Sequence, residues 1–486
     1  MKISIDPHKK LFKWGPIDGR PIYPDYWWPG FIFFARHFVG WPDTMAYFEK
    51  EKILVVLDDA ALYAAGEENL KRSILPDRAF VKSYAGWQKA IQKFRQTIRK
   101  ICAQKLASLS QRDLHRSFLL FEKSYEQFWD FGLLAELANY GDDRMLEREL
   151  RKKIKDEEDF HYAFERLSAP EKLSFYQKEE IELLSLAILR NRKMLESGLR
   201  HHQRKYFWIL NSYHHTRVLP IGYFEKILAS FTPEEAKRKI ELMRRIYAQM
   251  KRDKKDVLKK FRLSKDVEKI AQRLSFCVWW QDARKAFIFQ ANHVIDLFLR
   301  EAARRHVLDF HDLHYYVADE IRSLLQSGKK VSGKEIVRRK ENFLMLYRAD
   351  QRGVQYVSGT QAQRFMQPYL KKNHDSSAKE FKGIVVNRGK VCGTARIIHS
   401  PQEISKMKKG DILVAAMTSP DYILALKKAA AVVTDEGGMT CHAAIVSREL
   451  GIPGIVGTRF ATQLLKDGMM VEVDANNGIV KILEKQ

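Results

Sequence analysis

The residues best suited to chemistry lie between Val433 and Thr458, VTDEGGMTCHAAIVSRELGIPGIVGT. A β-branched run ends at Thr434, and the pair Gly437 and Gly438 then allows a close-packed turn. Thr440 can cap a helix that runs over Ala443–Leu450 and is stopped by Gly451 and Pro453. His442 therefore falls in the first turn of a helix. Unpaired backbone N–H groups and the positive end of the helix dipole lie there beside its imidazole, which is where a phosphoryl group is held best. An imidazole with an ordinary pKa of about 6.5 is largely neutral at pH 7 and can act as a nucleophile that passes a group onward. The Thr440 hydroxyl can donate to a phosphoryl oxygen. Arg448, six residues on, can approach bound phosphate or pair with Glu449 or solvent.

Neighbouring residues have plainer readings. Cys441 could be a reactive thiol at a helix start, but a small packing residue is the commoner case. Asp435 and Glu436 could attract Mg²⁺ when a nucleotide is presented, although a solvated loop is the better expectation.

The segment GGMTCHAAIVSRELGIP resembles the phosphohistidine motif of the phosphoenolpyruvate-utilising enzymes, whose members include phosphoenolpyruvate synthase, pyruvate phosphate dikinase, enzyme I of the sugar phosphotransferase system and rifampicin phosphotransferase. Flanking text fits the same domain: KGIVVNRGKVCGTARII resembles its opening strands, GDILVAAMTSPDYILALKKAAAVVTDEGG its middle and GMMVEVDANNGIVKIL its closing hairpin. The resemblance implies that His442 carries the phosphoryl group on a swivelling β/β/α module that shuttles between a donor and an acceptor site. Gly437, Gly438, Thr440 and Arg448 are then its phosphate-positioning residues. It also implies ATP and Mg²⁺ as cofactors. Neither an ATP-grasp nucleotide-binding domain nor a phosphoenolpyruvate-binding barrel is recognisable in the chain, so both cofactors are expected on a separate ATP-grasp partner, with none bound tightly here and no metal site.

The remaining text divides by texture. Residues 1 to about 50 mix Trp14, Tyr23, Tyr26, Trp27, Trp28 and Trp41 with Pro21, Pro24, Pro29 and Pro42, which predicts irregular structure pinned by rings. From about 84 to 350 the period is helical. Leu114, Phe118, Phe121, Tyr125 and Phe128 fall three or four apart, on one face. Helix starts are predicted at Ser168–Glu171 around Pro170, and at Thr232 before Pro233, Glu234 and Glu235. Lys371–Glu380, KKNHDSSAKE, reads as a linker, and beyond it glycines punctuate short β-branched runs. The expected fold class is thus multi-domain α and β. A large all-α N-terminal domain at 1–370, mainly helical after its irregular start, binds an acceptor or partner, a linker follows at 371–380, and a small β/β/α domain occupies 381–486. The text at 309–328, DFHDLHYYVADEIRSLLQSG, is faintly similar to the helical domain before the phosphohistidine module of rifampicin phosphotransferase and related synthase-like proteins.

Composition bounds the partners. The 486 residues include 45% hydrophobic and 12% aromatic residues, enough for a folded chain rather than a disordered one. Lys and Arg number 85 against 60 Asp and Glu, a net charge of +25, so an anionic partner is implied. Residues 381–486 hold 14 Lys or Arg against 10 acids and residues 1–380 hold 71 against 50, so the basic character is carried upstream. The run Lys251–Lys260 could track a phosphate backbone, although a solvated helix face is its default. The competing reading is a basic regulatory protein that binds nucleic acid or a partner and uses the swivelling fold as an interaction module. The leading one is a phosphotransferase component with a small-molecule acceptor. Cys102, Cys277, Cys392 and Cys441 are too dispersed for a disulfide framework or zinc knuckle, and no stretch reaches the roughly 18 apolar residues of a membrane span. A cytoplasmic protein with no membrane partner is expected. His201 and His202, and His214 and His215, lack the spacing of helical metal ligands. The cluster of His306, His311 and His314 with Asp309, Asp312 and Asp319 is a denser candidate for a metal or substrate role.

Overall fold

The structure is a computed structural model that describes residues 3–189, 191–370, 379–399, 401–418, 422–435, 437, 441–458 and 460–483; Asp142, Asp143, Glu158, Pro401 and Gln402 are described in the backbone only. The chain forms two compact units, one of residues 22–38 and 66–330 and the other of 1–21, 39–65 and 331–486.

The first unit is helical. Its frame is the 43-residue helix Gln111–Lys153 packed against the 42-residue helix Lys265–His306, with the helix Asp77–Cys102 alongside. The predicted apolar face is the core: Leu114, Phe118, Phe121, Tyr125 and Phe128 are all fully buried. Phe94 stacks on Tyr125, and Phe118 and Phe121 meet Phe298 of the second long helix. Trp280 is buried against Trp87, so it packs the core. Ser110 and Ser264 cap the two long helices through their side chains.

One predicted start is observed and the other is displaced. Thr232 makes a full capping box with Glu235, with Pro233 as the first helical residue. The start expected at Ser168–Glu171 is instead at Ser174, whose hydroxyl accepts from Gln177 N while Gln177 returns a bond to the Ser174 N–H. Ser168 is unavailable as a cap because it is the last residue of the preceding helix, Glu157–Ser168.

The all-α expectation for the N-terminal part is corrected in the second unit, which holds a five-stranded antiparallel sheet. Its strands are β1 (Leu11–Asp18), β2 (Thr44–Glu49), β3 (Lys52–Asp58), β4 (Asn342–Arg348) and β5 (Gly353–Ser358), in the order β1-β3-β2-β4-β5. The aromatic-rich start is therefore strand and helix, the latter over Trp27–His37 in the helical unit, rather than irregular. β2 and β4 are buried on both faces, so their text is a continuous apolar run without the alternation that marks a half-exposed strand. The helix Gly359–Leu370 covers one face, burying Ala362, Met366 and Tyr369 against Met45, Tyr47, Leu344 and Leu346.

The C-terminal residues build an eight-stranded sheet from β6 (Glu380–Lys382), β7 (Ile384–Asn387), β8 (Lys390–Ile397), β9 (Ile412–Ala415), β10 (Ala431–Thr434), β11 (Gly454–Val456), β12 (Met470–Asp474) and β13 (Ile479–Ile482). Their order is β6-β13-β12-β8-β9-β10-β11-β7, and the central run β8-β9-β10-β11 is parallel. Of the expected linker, residues 371–378 lie outside the described residues, and Glu380 already opens β6.

Candidate functional site at the start of helix 442–450

The site is made by the carboxyl ends of β9 and β10. Both strands are fully buried, with Val414 beside Val433 and Ala415 beside Thr434. Val414 and Val433 face one apolar cluster, and Leu413 and Val432 face the other. The helix His442–Leu450 lies on that second face through Ala443, Ala444 and Val446. Alanines there let the helix lie close to the sheet. Gly454 of β11 is required beneath it, because a Cβ would come within 2.8 Å of Ser447 Oγ and 2.7 Å of Val386. The helix ends at Gly451 in the left-handed region, where φ is 66°.

Cys441, in extended conformation, is the residue before the first helical turn, and Ile445 N donates to its carbonyl. His442 is therefore the first helical residue, and the cap position falls on Cys441, which makes no side-chain cap bond, rather than on Thr440 as expected. Its ring is half-buried, and Nδ1 lies 2.9 Å from Thr418 Oγ1. Thr418 is 7% exposed and follows β9 by three residues. The hydroxyl and the imidazole thus come from two loops that leave the same sheet edge, beyond the carboxyl ends of parallel strands. Thr418 escaped the sequence reading. The available signal was the Thr-Ser-Pro text three residues after a β-branched run.

Gly437 has φ of 124°, and a Cβ on it would stand 2.8 Å from Cys441 Sγ. The Cys441 side chain packs on that glycine. Gly438, Thr440 and Glu436 lie outside the described residues. Arg448 sits about 9 Å along the helix axis from His442, at 1.5 Å per residue, and its Nε donates to Val386 O at 2.9 Å. That contact ties the helix to β7.

Asp435 is not the solvated loop residue expected. It is 5% exposed, accepts Thr462 N at 2.9 Å, and also accepts the Thr462 hydroxyl. Burial pushes its pKa up, against the lowering effect of the Thr462 bonds. Its carboxylate anchors the segment Ala461–Leu464 beside the sheet.

Two histidines of the helical unit are buried on carboxylates. His202 is buried and bonds Glu179 Oε1 at 2.8 Å. His314 is fully buried on Asp296, which also accepts from Tyr23 and Thr216. Among the described residues no group of three or more His, Cys, Asp or Glu side chains is arranged to hold a metal ion. Lys254, inside the basic run, is buried on Ala169 O and Ser275, and Lys260 pairs with Asp159, so that run is partly structural. Among the described residues no helix is long and apolar enough to cross a membrane.

Residues 407–478 match the family model described as PEP-utilising enzyme, mobile domain. This segment is a phosphoenolpyruvate-utilising mobile domain. Over 99 residues, 20% of its length, the chain is 61% identical to a probable phosphoenolpyruvate synthase of Archaeoglobus fulgidus and 57% identical to the phosphoenolpyruvate synthase of Pyrococcus furiosus. It is 43% identical over 113 residues to the phosphoenolpyruvate synthase of Pseudomonas aeruginosa. The matched stretch is 12% to 14% of the length of these relatives. The chain therefore shares their mobile domain over a small part of their length.

Proposed function

We propose that the chain is a phosphotransferase component in which His442 carries a phosphoryl group between a donor site on another polypeptide and a small-molecule acceptor. The observation that carries this reading is the 2.9 Å contact between Thr418 Oγ1 and His442 Nδ1 at the start of a helix. With Nδ1–H donating to Thr418, the lone pair of the neutral ring resides on Nε2. That lone pair attacks the donor phosphorus, the bond from phosphorus to the leaving oxygen breaks, and its electron pair stays with that oxygen. The Nδ1 proton remains on the ring. Onward transfer breaks the N–P bond as an acceptor oxygen attacks and loses its proton to solvent.

Backbone N–H groups of the first helical turn face the incoming oxygens and favour negative charge there. Gly437 and Gly438 would shape the turn, Thr440 would donate to a phosphoryl oxygen, and Arg448 would secure the helix from its far end. ATP with Mg²⁺, held by an ATP-grasp partner, is the proposed donor, with phosphoenolpyruvate the other source of the same group. Likeness to phosphoenolpyruvate synthases supports the donor class, and the whole activity would resemble a split form of such an enzyme. The module of residues 381–486 would swing about the segment 371–380, with the helical unit holding the acceptor.

The test is to incubate the full chain with radiolabelled ATP and a candidate ATP-grasp partner, with radiolabelled phosphoenolpyruvate, and with phosphoramidate as a partner-independent donor. Acid-labile, alkali-stable phosphate is expected on wild type and none on His442→Ala. Label that persists in His442→Ala, or none on wild type from any donor, overturns the proposal.

A further inference from the structure

The outward face of the helix Pro233–Lys260 carries charge that folding does not use. On its packed flanks Lys239 pairs with Glu180, Lys254 with Glu171 and Lys260 with Asp159. The outward side chains are arranged otherwise. Arg238, Arg245, Arg252 and Lys259 recur every seven residues, while Lys237, Arg244 and Lys251 form a second row beside them that Lys255 extends. All are exposed, and none forms an ion pair among the described residues. Arg252 bonds the neutral Gln249, and Glu235, which interacts with Arg238 across space, is engaged on Thr232. Lys251, Lys255 and Lys259 stand four apart in turn, a like-charge spacing that opposes the helix they belong to.

The geometry of the face is regular. Seven residues advance about 10.5 Å and slightly less than two turns, so each row keeps to one side of the helix. All these cations fall within about 140° of arc, and from Lys237 to Lys259 they cover about 33 Å, close to the ~34 Å of one duplex turn. Glu241, Ala248 and Asp256 are the other residues on that arc between Lys237 and Lys259. The positive surface continues past Lys251 to Lys172 and Lys178. Burial first, and then the charges of Lys178 and Lys251, hold the Lys172 ammonium below the ordinary lysine range, although Glu171 opposes them. Lys172 Nζ stands 4.2 Å from the Trp279 ring and 4.5 Å from the Phe276 ring, so a cation covers both.

These features select the occupant. A protein partner needs an apolar or aromatic centre to its interface, and of the large apolar residues of this helix only Leu242, at the margin of the arc, is exposed. Insertion into a lipid surface needs the apolar side of the helix, which is instead buried through Ala236 and Ile240 against Leu184. A single strand is held by stacking its bases on open rings, whereas Trp279 and Phe276 lie beneath Lys172. A straight, uniformly charged polyanion asks only for evenly spaced cations. We propose that the outward face of the helix Pro233–Lys260, extended by Lys172, is a sequence-independent binding surface for the phosphate backbone of duplex nucleic acid. It acts independently of the chemistry at His442.

Fluorescence anisotropy of the full chain with a labelled DNA duplex of about 20 base pairs, two turns, tests it, and an RNA duplex of the same sequence distinguishes the two sources of the backbone. Binding to at least one duplex is expected, and with about six phosphates contacted the affinity should fall about a thousandfold between 50 and 200 mM salt. Arg238→Glu, Arg245→Glu and Arg252→Glu together should lower the salt slope by about three and weaken binding at 50 mM salt by more than about a hundredfold. Glu and Arg have similar helix propensity, so this variant should keep the wild-type melting temperature; if it does not, the three Arg→Gln changes carry the test. Arg112→Glu, Arg116→Glu and Lys123→Glu, exposed on the helix Gln111–Lys153, change the net charge equally and should weaken binding less than about tenfold. The proposal is overturned by any of three results. These are no salt-sensitive binding to either duplex, an equal loss in the control variant, and displacement of the duplex by poly-glutamate or phosphatidylserine vesicles at equal charge concentration.

Discussion

Replacing Thr418 by valine isolates the part of the site that acts through the imidazole. Thr418 is 7% exposed, so a β-branched residue of the same shape keeps its packing and removes only the hydroxyl. The lost interaction is the 2.9 Å contact between Oγ1 and His442 Nδ1. A neutral hydrogen bond of this kind contributes about 0.5–1.5 kcal/mol net. If that energy is what keeps the proton on Nδ1, its loss returns part of the ring population to the tautomer with the proton on Nε2, which has no lone pair for attack. At 1.36 kcal/mol per decade, the rate of phosphoryl uptake should fall about two- to tenfold. The assay is acid-labile phosphate uptake from phosphoramidate, together with the ¹⁵N resonances of the imidazole, which report which nitrogen carries the proton whatever the donor. Thr418→Ser, which restores the hydroxyl, should recover most of the rate. The reasoning is refuted if Thr418→Val takes up phosphate at the wild-type rate with an unchanged tautomer.

Gly437→Ala should cost about 1–3 kcal/mol for a side chain held at positive φ, and the added Cβ would press on Cys441 Sγ at 2.8 Å. Melting temperature and phosphate uptake should fall together, and adding Cys441→Ala should restore only the share due to the clash. Arg448→Ala removes the bond from Nε to Val386 O and should lower the melting temperature while leaving uptake within about twofold, since one surface-proximal hydrogen bond contributes ~1 kcal/mol to folding; uptake that collapses at unchanged melting temperature would instead show the guanidinium on the phosphoryl group. In the helical unit, burial pushes Glu122 up to about 8, although Arg322 and Tyr26 pull it down, and burial pushes Asp130 up to about 7. Below the ordinary carboxylate range both states are protonated and the Glu122 contribution is fully present. As pH rises toward 8 the unfolded chain has lost a proton that the folded one keeps, so stability falls through that window. Glu122→Gln should therefore gain melting temperature relative to wild type between pH 5 and 9, and a difference that is flat or of opposite sign across pH would contradict the burial argument.

What could be read from the residues depends on whether the information is local. Phe118, Phe121, Tyr125 and Phe128 announce a buried helix face because the period of one helix is contained in one stretch of chain. The helix start at His442 is legible for the same reason: Gly437 and the alanines that let the helix approach the sheet all lie within ten residues of it, although the cap position is Cys441 and not Thr440. The sheet of β1 to β5 is different. β2 pairs with β4 across nearly three hundred residues, with Tyr47 opposite Leu344 and Ala46 opposite Met345, and neither strand shows alternation because both faces are covered. Nothing within either segment says where its partner is. Thr418 falls between the two cases. It lies 24 residues before His442 and meets it only because β9 and β10 are parallel neighbours whose carboxyl ends coincide. A parallel pair joined by a crossover brings its two following loops to one edge by construction. The polar residue that follows the first strand is thus the one to inspect when a nucleophile follows the second, and Arg448, which shares a helix with His442, shows why nearness in sequence is the poorer guide. Six residues along a helix carry a side chain to another level and another face, where its Nε meets β7.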